Sequence, residues 1–188
     1  MEFFDICNED GQPTGRTVSR DEAHEKGILH RTAHVWIVRG EPGSREVLLQ
    51  KRSLEKDSFP GQYDTSSAGH VQAGDEPLPS ALRELQEELG IAADPDRLDY
   101  AGRFRIRYDL MFHGKPFRDS EIAWVYVYRG LVDEKTLTLQ PGEVDEVRWF
   151  ALEEVLAGVR ENSELFCVPP GGLDVLCRFL GEERGNLI

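Results

Sequence analysis

The chain has 188 residues, and its 35 acidic residues outnumber 22 lysines and arginines, which gives a formal net charge of −13. Hydrophobic residues make up 39% and charged residues 30%, a balance that excludes a disordered or fibrous protein. No apolar run approaches the roughly 20 residues of a membrane helix, and the acidic N-terminus does not resemble a secretory signal. We therefore expect a cytoplasmic protein with no membrane partner. The negative charge disfavours nucleic acid as a partner and favours divalent cations.

The sequence of the first half of the chain predicts several strands and two helices. Residues 2–7 form a strand that pairs with 16–18, and a short helix follows between Ser19 and Gly27, the residue types that begin and end helices. Segments 34–40 and 47–52 are rich in the residues that favour strands. Leucines at spacings of three and four then predict a helix from 80 to 89.

The second half predicts two more strands, 98–112 and 122–132, around a polar loop, and a third strand at 146–150. Helices are expected at 151–159 and 171–183. The three cysteines are widely spaced and form no Cys-X-X-Cys pair, so they predict neither a disulfide framework nor a zinc site. Strands and helices mix without repeats or linkers, which indicates an α/β fold of one domain.

The helix that ends at 89 carries three carboxylates on one strip: Glu84, Glu87 and Glu88 stand at i, i+3 and i+4. Like charges at these spacings destabilise a helix, whereas hard divalent cations need several convergent oxygens. The strip is therefore either a cation site or a solvated acidic helix face.

The surrounding sequence resembles the Nudix family. Residues 69–91 fit the family's box, in which Gly, five residues, an acid and seven residues precede Arg-Glu-aliphatic-any-Glu-Glu-any-Gly-aliphatic. Chance agreement at six fixed positions occurs about once in 10⁷ starting points, given average residue usage. The family usually has Glu where this chain has Asp75, and Glu76 is the alternative acid. The matching residues are Gly69, Arg83, Glu84, Leu85, Glu87, Glu88, Gly90 and Ile91.

The resemblance implies a mixed β-sheet sandwiched between α-helices, within a single Nudix domain over 1–188 whose residues 1–30 are an N-terminal hairpin and short helix. It implies Mg²⁺- or Mn²⁺-dependent hydrolysis of a small-molecule diphosphate, with Glu84, Glu87 and Glu88 as metal ligands. The Gly69 carbonyl is a further ligand, and Arg83 orients a glutamate. The substrate stays open among a nucleoside diphosphate, ADP-ribose, a dinucleotide and an isoprenoid diphosphate, and so does a homodimeric state.

Other site residues must lie outside the box. The family's base is a box glutamate or an outside acid, for which Glu143 is the first candidate, before Glu146 and Glu121. Lys51, Arg52 and Arg31 are candidate phosphate ligands, and Arg103, Arg105 and Arg107 alternate along one strand, which places them on one sheet face. Candidate stacking residues for a base are Trp36, Phe59, Tyr63 and Trp124, although the residue type of each favours a place in the core.

Two other functions remain open. The chain also resembles the Nudix branch of isopentenyl-diphosphate isomerase, which needs a cysteine beside the box glycine and histidines around a metal. Here Ala68 precedes Gly69, although His24, His30 and His70 lie in roughly the histidine positions; local hydrogen bonding is their other reading. The third function is a nucleotide-binding Nudix-fold module without catalysis, against which the intact carboxylate set argues.

Overall fold

The computed structural model describes residues 2–182 of the chain. This part of the chain begins with a hairpin and a short helix. Strands β1 (Phe3–Cys7) and β2 (Pro13–Ser19) pair antiparallel. Helix α1 (Arg20–Lys26) follows, because the Ser19 side chain accepts a hydrogen bond from the Glu22 amide and Gly27 adopts a left-handed φ of 66° that ends the helix.

The main sheet has seven strands. Its order is β5-β4-β3-β8-β7, with β6 paired to β3 and β9 paired to β4. Strands β3 and β8 run parallel, whereas every other pair is antiparallel, so the sheet is mixed as expected. The strands are β3 (His30–Arg39), β4 (Glu46–Arg52), β5 (Tyr63–Asp64), β6 (Ser67–His70), β7 (Leu98–Phe112), β8 (Lys115–Tyr128) and β9 (Val144–Ala151).

Helices cover both faces of this sheet, which confirms the predicted sandwich. Side chains alternate along β3, so that Val35 and Ile37 pack in a cluster with Leu85 of helix α2, while Trp36 packs in a second cluster with Leu173 of helix α4. Burial of both faces explains why this strand is almost wholly apolar. The helices are α2 (Pro77–Leu89), α3 (Leu152–Arg160) and α4 (Pro170–Leu180).

Several boundaries differ from the prediction. Strand β8 begins at Lys115, since the polar segment expected to be a loop pairs with β7 across a tight turn. Helix α2 begins at Pro77, because a proline in the first turn loses no helical hydrogen bond. The short β5 and β6 were not predicted, and the expected helix end at 183 lies outside the described residues. Among the described helices, none is long and apolar enough to cross a membrane.

Candidate active site

A cavity of about 460 Å³ lies beside the sheet. Helices α1 and α2, the central strands β3 and β8, strand β7 and the loops after β4 and before β9 all contribute to its wall. The sequence-predicted residues that the structure brings together in this wall are Gly69, Arg83, Glu84, Glu87, Glu88, Arg52, Glu143 and Glu121.

The packing of α2 points the box carboxylates into the cavity. Leu85 and Leu89 are fully buried against the sheet, and this leaves Glu84, Glu87 and Glu88 on the cavity side. Burial raises the pKa of Glu84, and it raises the pKa of Glu88 to about 8. Both carboxyl groups are therefore held where water solvates their charged forms poorly, and the metal-free Glu88 retains a proton near neutral pH.

Neighbouring amides fix the Glu88 side chain. Its Oε2 accepts hydrogen bonds from Gln50 Nε2 and from the Ala68 amide, both at 3.1 Å. The carboxylate is 6% exposed, so its orientation is set by the protein and not by solvent.

Arg83 links the remaining carboxylates. Its Nη1 lies 2.7 Å from Glu84 Oε1 and 3.1 Å from Glu87 Oε2, and its Nη2 donates to the His70 carbonyl at 3.0 Å. Partial burial lowers the pKa of Arg83, but the two carboxylates outweigh this and raise it overall. One guanidinium thus ties helix α2 to strand β6.

The absence of a side chain at Gly69 leaves room for the Glu84 carboxylate. A Cβ atom placed on Gly69 would stand 2.0 Å from Glu84 Cδ and 2.2 Å from Oε1. Any other residue here would force the carboxylate to move, which explains why glycine stands at this point of β6.

Cationic groups line the same cavity. Arg52 donates from Nε to the Ser58 carbonyl at 3.0 Å and from Nη1 to Asp64 at 3.3 Å. Lys56 forms an ion pair with Glu143, whose side chain is 38% exposed. A guanidinium, an ammonium and an outside carboxylate therefore share one cavity with the box.

Other predicted residues lie away from this wall. The Arg31 guanidinium is buried and donates to Asp5 and to the Asp75 carbonyl, which ties the N-terminal hairpin to the box loop. Lys51 lies 3.8 Å from Glu146 on the β4–β9 side of the sheet. Of the two alternative box acids, neither Asp75 nor Glu76 lines the cavity.

Of the four candidate stacking residues, Phe59 alone reaches the cavity. Trp36 and Tyr63 are buried in the core, and Trp124 packs against the α2 side. Phe59 adopts a left-handed φ of 48° and contacts Tyr108 edge-on, with ring centroids 5.7 Å apart.

A second cluster of ligand-type side chains closes one end of the cavity. Ligand atoms of His24, His30, His70 and Glu121 all lie within 4.8 Å of one another. Glu121 Oε1 is 3.6 Å from the Nε2 atoms of His30 and His70, and both nitrogens are buried without a hydrogen-bond partner. Burial lowers the pKa of His24 to about 4 and that of His70 well below its usual value. Neutral imidazole nitrogens of this kind are metal-ligand donors.

The N-terminal hairpin supports this histidine cluster. The Phe4 ring stacks on His70 and His30, with centroids 4.4 and 4.9 Å apart and nearly parallel planes. Asp119 lies 3.7 Å from His24 Nε2. No sequence pattern indicated a role for Phe4 or Lys56, whereas Asp119 could have been found from its position two residues before Glu121, on the same face of a strand.

Comparison with known proteins identifies the family. The NUDIX domain model matches residues 28–167. "Nudix hydrolase 3" of Arabidopsis thaliana is 39% identical over 155 residues, which cover 81% of this chain and 20% of that protein. An uncharacterized Nudix hydrolase of Clostridium acetobutylicum is 40% identical over 143 residues, 76% of this chain and 66% of that protein. This chain therefore spans only part of the length of both relatives.

Solved structures support the same fold. A crystal structure from Deinococcus radiodurans superposes with a TM-score of 0.67 and 21% identity, and it covers 93% of this chain and 98% of that one. Together with the match over residues 28–167, these findings establish that the chain belongs to the Nudix family.

Proposed function

We propose that the protein is a Mg²⁺- or Mn²⁺-dependent pyrophosphohydrolase that cleaves the diphosphate bond of a small organic diphosphate. The observation that carries this proposal is the convergence of the box carboxylates with Arg52 and Lys56 in one cavity. Carboxylates suit a divalent cation, and the two cationic side chains suit the phosphates of a substrate.

The residues present fit such a cation. Glu84 and Glu88 are buried acids whose pKa values are raised, so a cation bound beside them would stabilise their charged forms. Glu84, Glu87 and Glu88 with the Gly69 carbonyl are the proposed ligands. A divalent cation supplies charge neutralisation and Lewis acidity toward the diphosphate.

The remaining roles fall to side chains of the cavity wall. Arg83 holds Glu84 and Glu87 in place, and Arg52 binds a phosphate oxygen. Glu143 takes a proton from the attacking water while the bridging P–O bond breaks, and its ion pair with Lys56 holds the carboxylate at the cavity edge. Arg31 and Lys51 have no role in this scheme because neither lines the cavity.

A panel of mixed diphosphates tests the proposal. The wild-type protein should release a phosphate monoester in the presence of Mg²⁺ and should lose this activity in excess EDTA. Glu87→Gln and Glu88→Gln should each lower kcat by about 10²- to 10³-fold, as expected when an electrostatic stabiliser is removed. Glu76→Gln, outside the cavity, is the matched control and should retain activity. Full turnover in EDTA would refute the proposal.

The histidine cluster favours one second candidate, an isomerase-like proton transfer. Three imidazoles beside Glu121 form a nitrogen-rich site that suits a transition metal, unlike the oxygen site on α2. Ala68 argues against isomerisation, since its methyl group cannot exchange a proton with carbon. NMR detection of an allylic isomer formed from isopentenyl diphosphate would support this candidate.

A non-catalytic nucleotide-binding module is the remaining alternative. It would bind a diphosphate saturably and release no product, and Glu87→Gln would then leave its function unchanged. The complete carboxylate set and its Arg83 partner favour hydrolysis, because binding alone does not require all of them.

A further inference from the structure

A second groove, of about 320 Å³, lies on the other face of the β7–β8 ladder from the cavity. Side chains alternate along β7, so Ile106 and Tyr108 face the cavity while Arg105 and Arg107 face the opposite way. The end of α1 forms the far wall of this groove, where Lys26 and Gly27 approach the ladder. Tyr108 and Asp119 line both spaces, so the groove adjoins the cavity, but its arginines lie outside the cavity wall.

The groove concentrates positive charge in an acidic protein. Three elements supply four cationic side chains, of which Lys26 is already paired with Glu22 at 2.7 Å. Within the described part of the chain, Arg107 makes no ion pair or hydrogen bond. The four are Lys26 of α1, Arg105 and Arg107 of β7, and Arg118 of β8.

The carboxylates near these arginines form only weak ion pairs with them. Arg105 lies 3.6 Å from Glu9, and Arg118 lies 3.7 Å from Asp109, distances beyond a hydrogen bond. The two acidic side chains are 81% and 75% exposed, so each pair contributes little and yields readily to a better ligand. The third acid at the groove, Asp119, pairs with His24 on the cavity side.

Polar contacts orient part of the groove for anion binding. Arg105 donates from Nη2 to Ser120 Oγ at 3.1 Å, and this contact fixes its guanidinium. Ser120 stands directly opposite Arg107 in the ladder, so its hydroxyl lies on the same face. Guanidinium forks with an adjacent hydroxyl match the several oxygens of a phosphoryl group.

We propose that this groove is a second, non-catalytic site that binds a phosphoryl group, either inorganic phosphate or the phosphate of a small monoester. Such species are the products of diphosphate hydrolysis, but the groove binds them independently of catalysis. Arg105 also donates to the Glu121 carbonyl at 3.4 Å, and the Glu121 side chain lines the cavity, so one strand residue connects the two spaces.

Isothermal titration of the full chain with inorganic phosphate, in EDTA, tests the site. Wild-type protein should bind saturably, and Arg107→Gln should weaken binding at least about tenfold, because a charge-assisted contact is lost. Arg103→Gln is the matched control, since Arg103 lies on the same strand face but contacts Asp10 and not the groove. The control should bind phosphate as wild type does.

A parallel titration with phenyl phosphate identifies the source of the anion. Tighter binding of the monoester points to a phosphorylated small molecule, and tighter binding of inorganic phosphate points to the free ion. Absence of saturable binding refutes the site. Binding that survives Arg107→Gln and disappears in Arg52→Gln also refutes it, because the anion then occupies the cavity. Neither result depends on turnover, so these titrations test the phosphate site independently of the hydrolase proposal.

Discussion

At Gly69 the gap between β6 and α2 holds a hydrogen atom and nothing larger, because Glu84 Cδ would stand 2.0 Å from an added Cβ. Gly69→Ala should therefore displace the Glu84 carboxylate and lower kcat about 10²-fold, the usual cost of losing one electrostatic group. Steady-state kinetics at saturating Mg²⁺ measures the effect.

Gly74→Ala is the contrasting variant. Gly74 has a φ of 84° with open space around it, so a methyl group strains the backbone without touching the carboxylates. It should lower the melting temperature and leave kcat near wild type. Equal kcat values in the two variants would show that the position of Glu84 does not limit catalysis.

The buried Glu88 predicts a pH dependence of stability. Its pKa rises from 4.5 to about 8 on burial, so between these values the metal-free folded chain holds a proton that the unfolded chain has lost. The free energy of unfolding should therefore fall as the pH rises through this window, by up to about 1.4 kcal/mol per pH unit. Urea unfolding in EDTA at several pH values measures this slope.

Glu88→Gln isolates the contribution, because glutamine does not titrate and other ionisable groups remain the same. The variant should show a smaller decline between pH 5 and pH 8. Parallel curves for the two proteins would mean that Glu88 is already ionised in the folded state.

At the scale of elements, the N-terminal hairpin forms its own two-stranded sheet and also supports the histidine cluster. Phe4 of β1 stacks on two imidazoles, so Phe4→Leu should weaken Co²⁺ binding at the histidine cluster by about 10- to 100-fold, typical for groups that orient metal ligands. Absorbance titration with Co²⁺ measures the affinity.

Val18→Ala is the control for this change. Val18 belongs to the same small hydrophobic cluster as Phe4 but offers no ring to the histidines. Its loss should lower stability and leave the Co²⁺ affinity unchanged. If both variants bind Co²⁺ equally well, the stacking has no role in holding the ligands.

Local sequence patterns correctly predicted those helices in which the hydrophobic periodicity agrees with the residues that begin or end a helix. The leucine spacing located α2, and Ser19 with Gly27 bounded α1, because both signals act within one or two turns. The start of β8 could not be found this way, since the half-buried Asp119 and the buried Glu121 are polar residues that face the site.

The candidate site was predictable most completely in its contiguous part. The box places Gly69, Arg83 and the glutamates within one short segment, and the structure keeps them together. Arg31 and Lys51 carry the same charge as Arg52, and only tertiary packing directs one of the three into the cavity. The phosphate-ligand assignment of Arg31 and Lys51, the single-domain boundaries, the cytoplasmic location and the homodimer stay predictions.

At the scale of the whole molecule, the net charge of −13 and the cluster of box carboxylates should make stability depend on cations. Mg²⁺ at 100 times its dissociation constant should stabilise the fold by about 2.7 kcal/mol and raise the melting temperature. Calorimetry with and without Mg²⁺ measures this, and Glu84→Gln should show a smaller increase. An equal increase in both proteins would place the cation elsewhere.

The parallel pairing of β3 with β8 also determines when the site can form. His30 pairs with Glu121, roughly ninety positions later in the chain, so the centre of the sheet closes across a long loop. Closing such loops costs entropy before any contact compensates for it, which slows folding. During synthesis, helix α2 leaves the ribosome with its carboxylates while the opposite wall has yet to be made. The nascent chain therefore acquires its cavity only after β8 is complete.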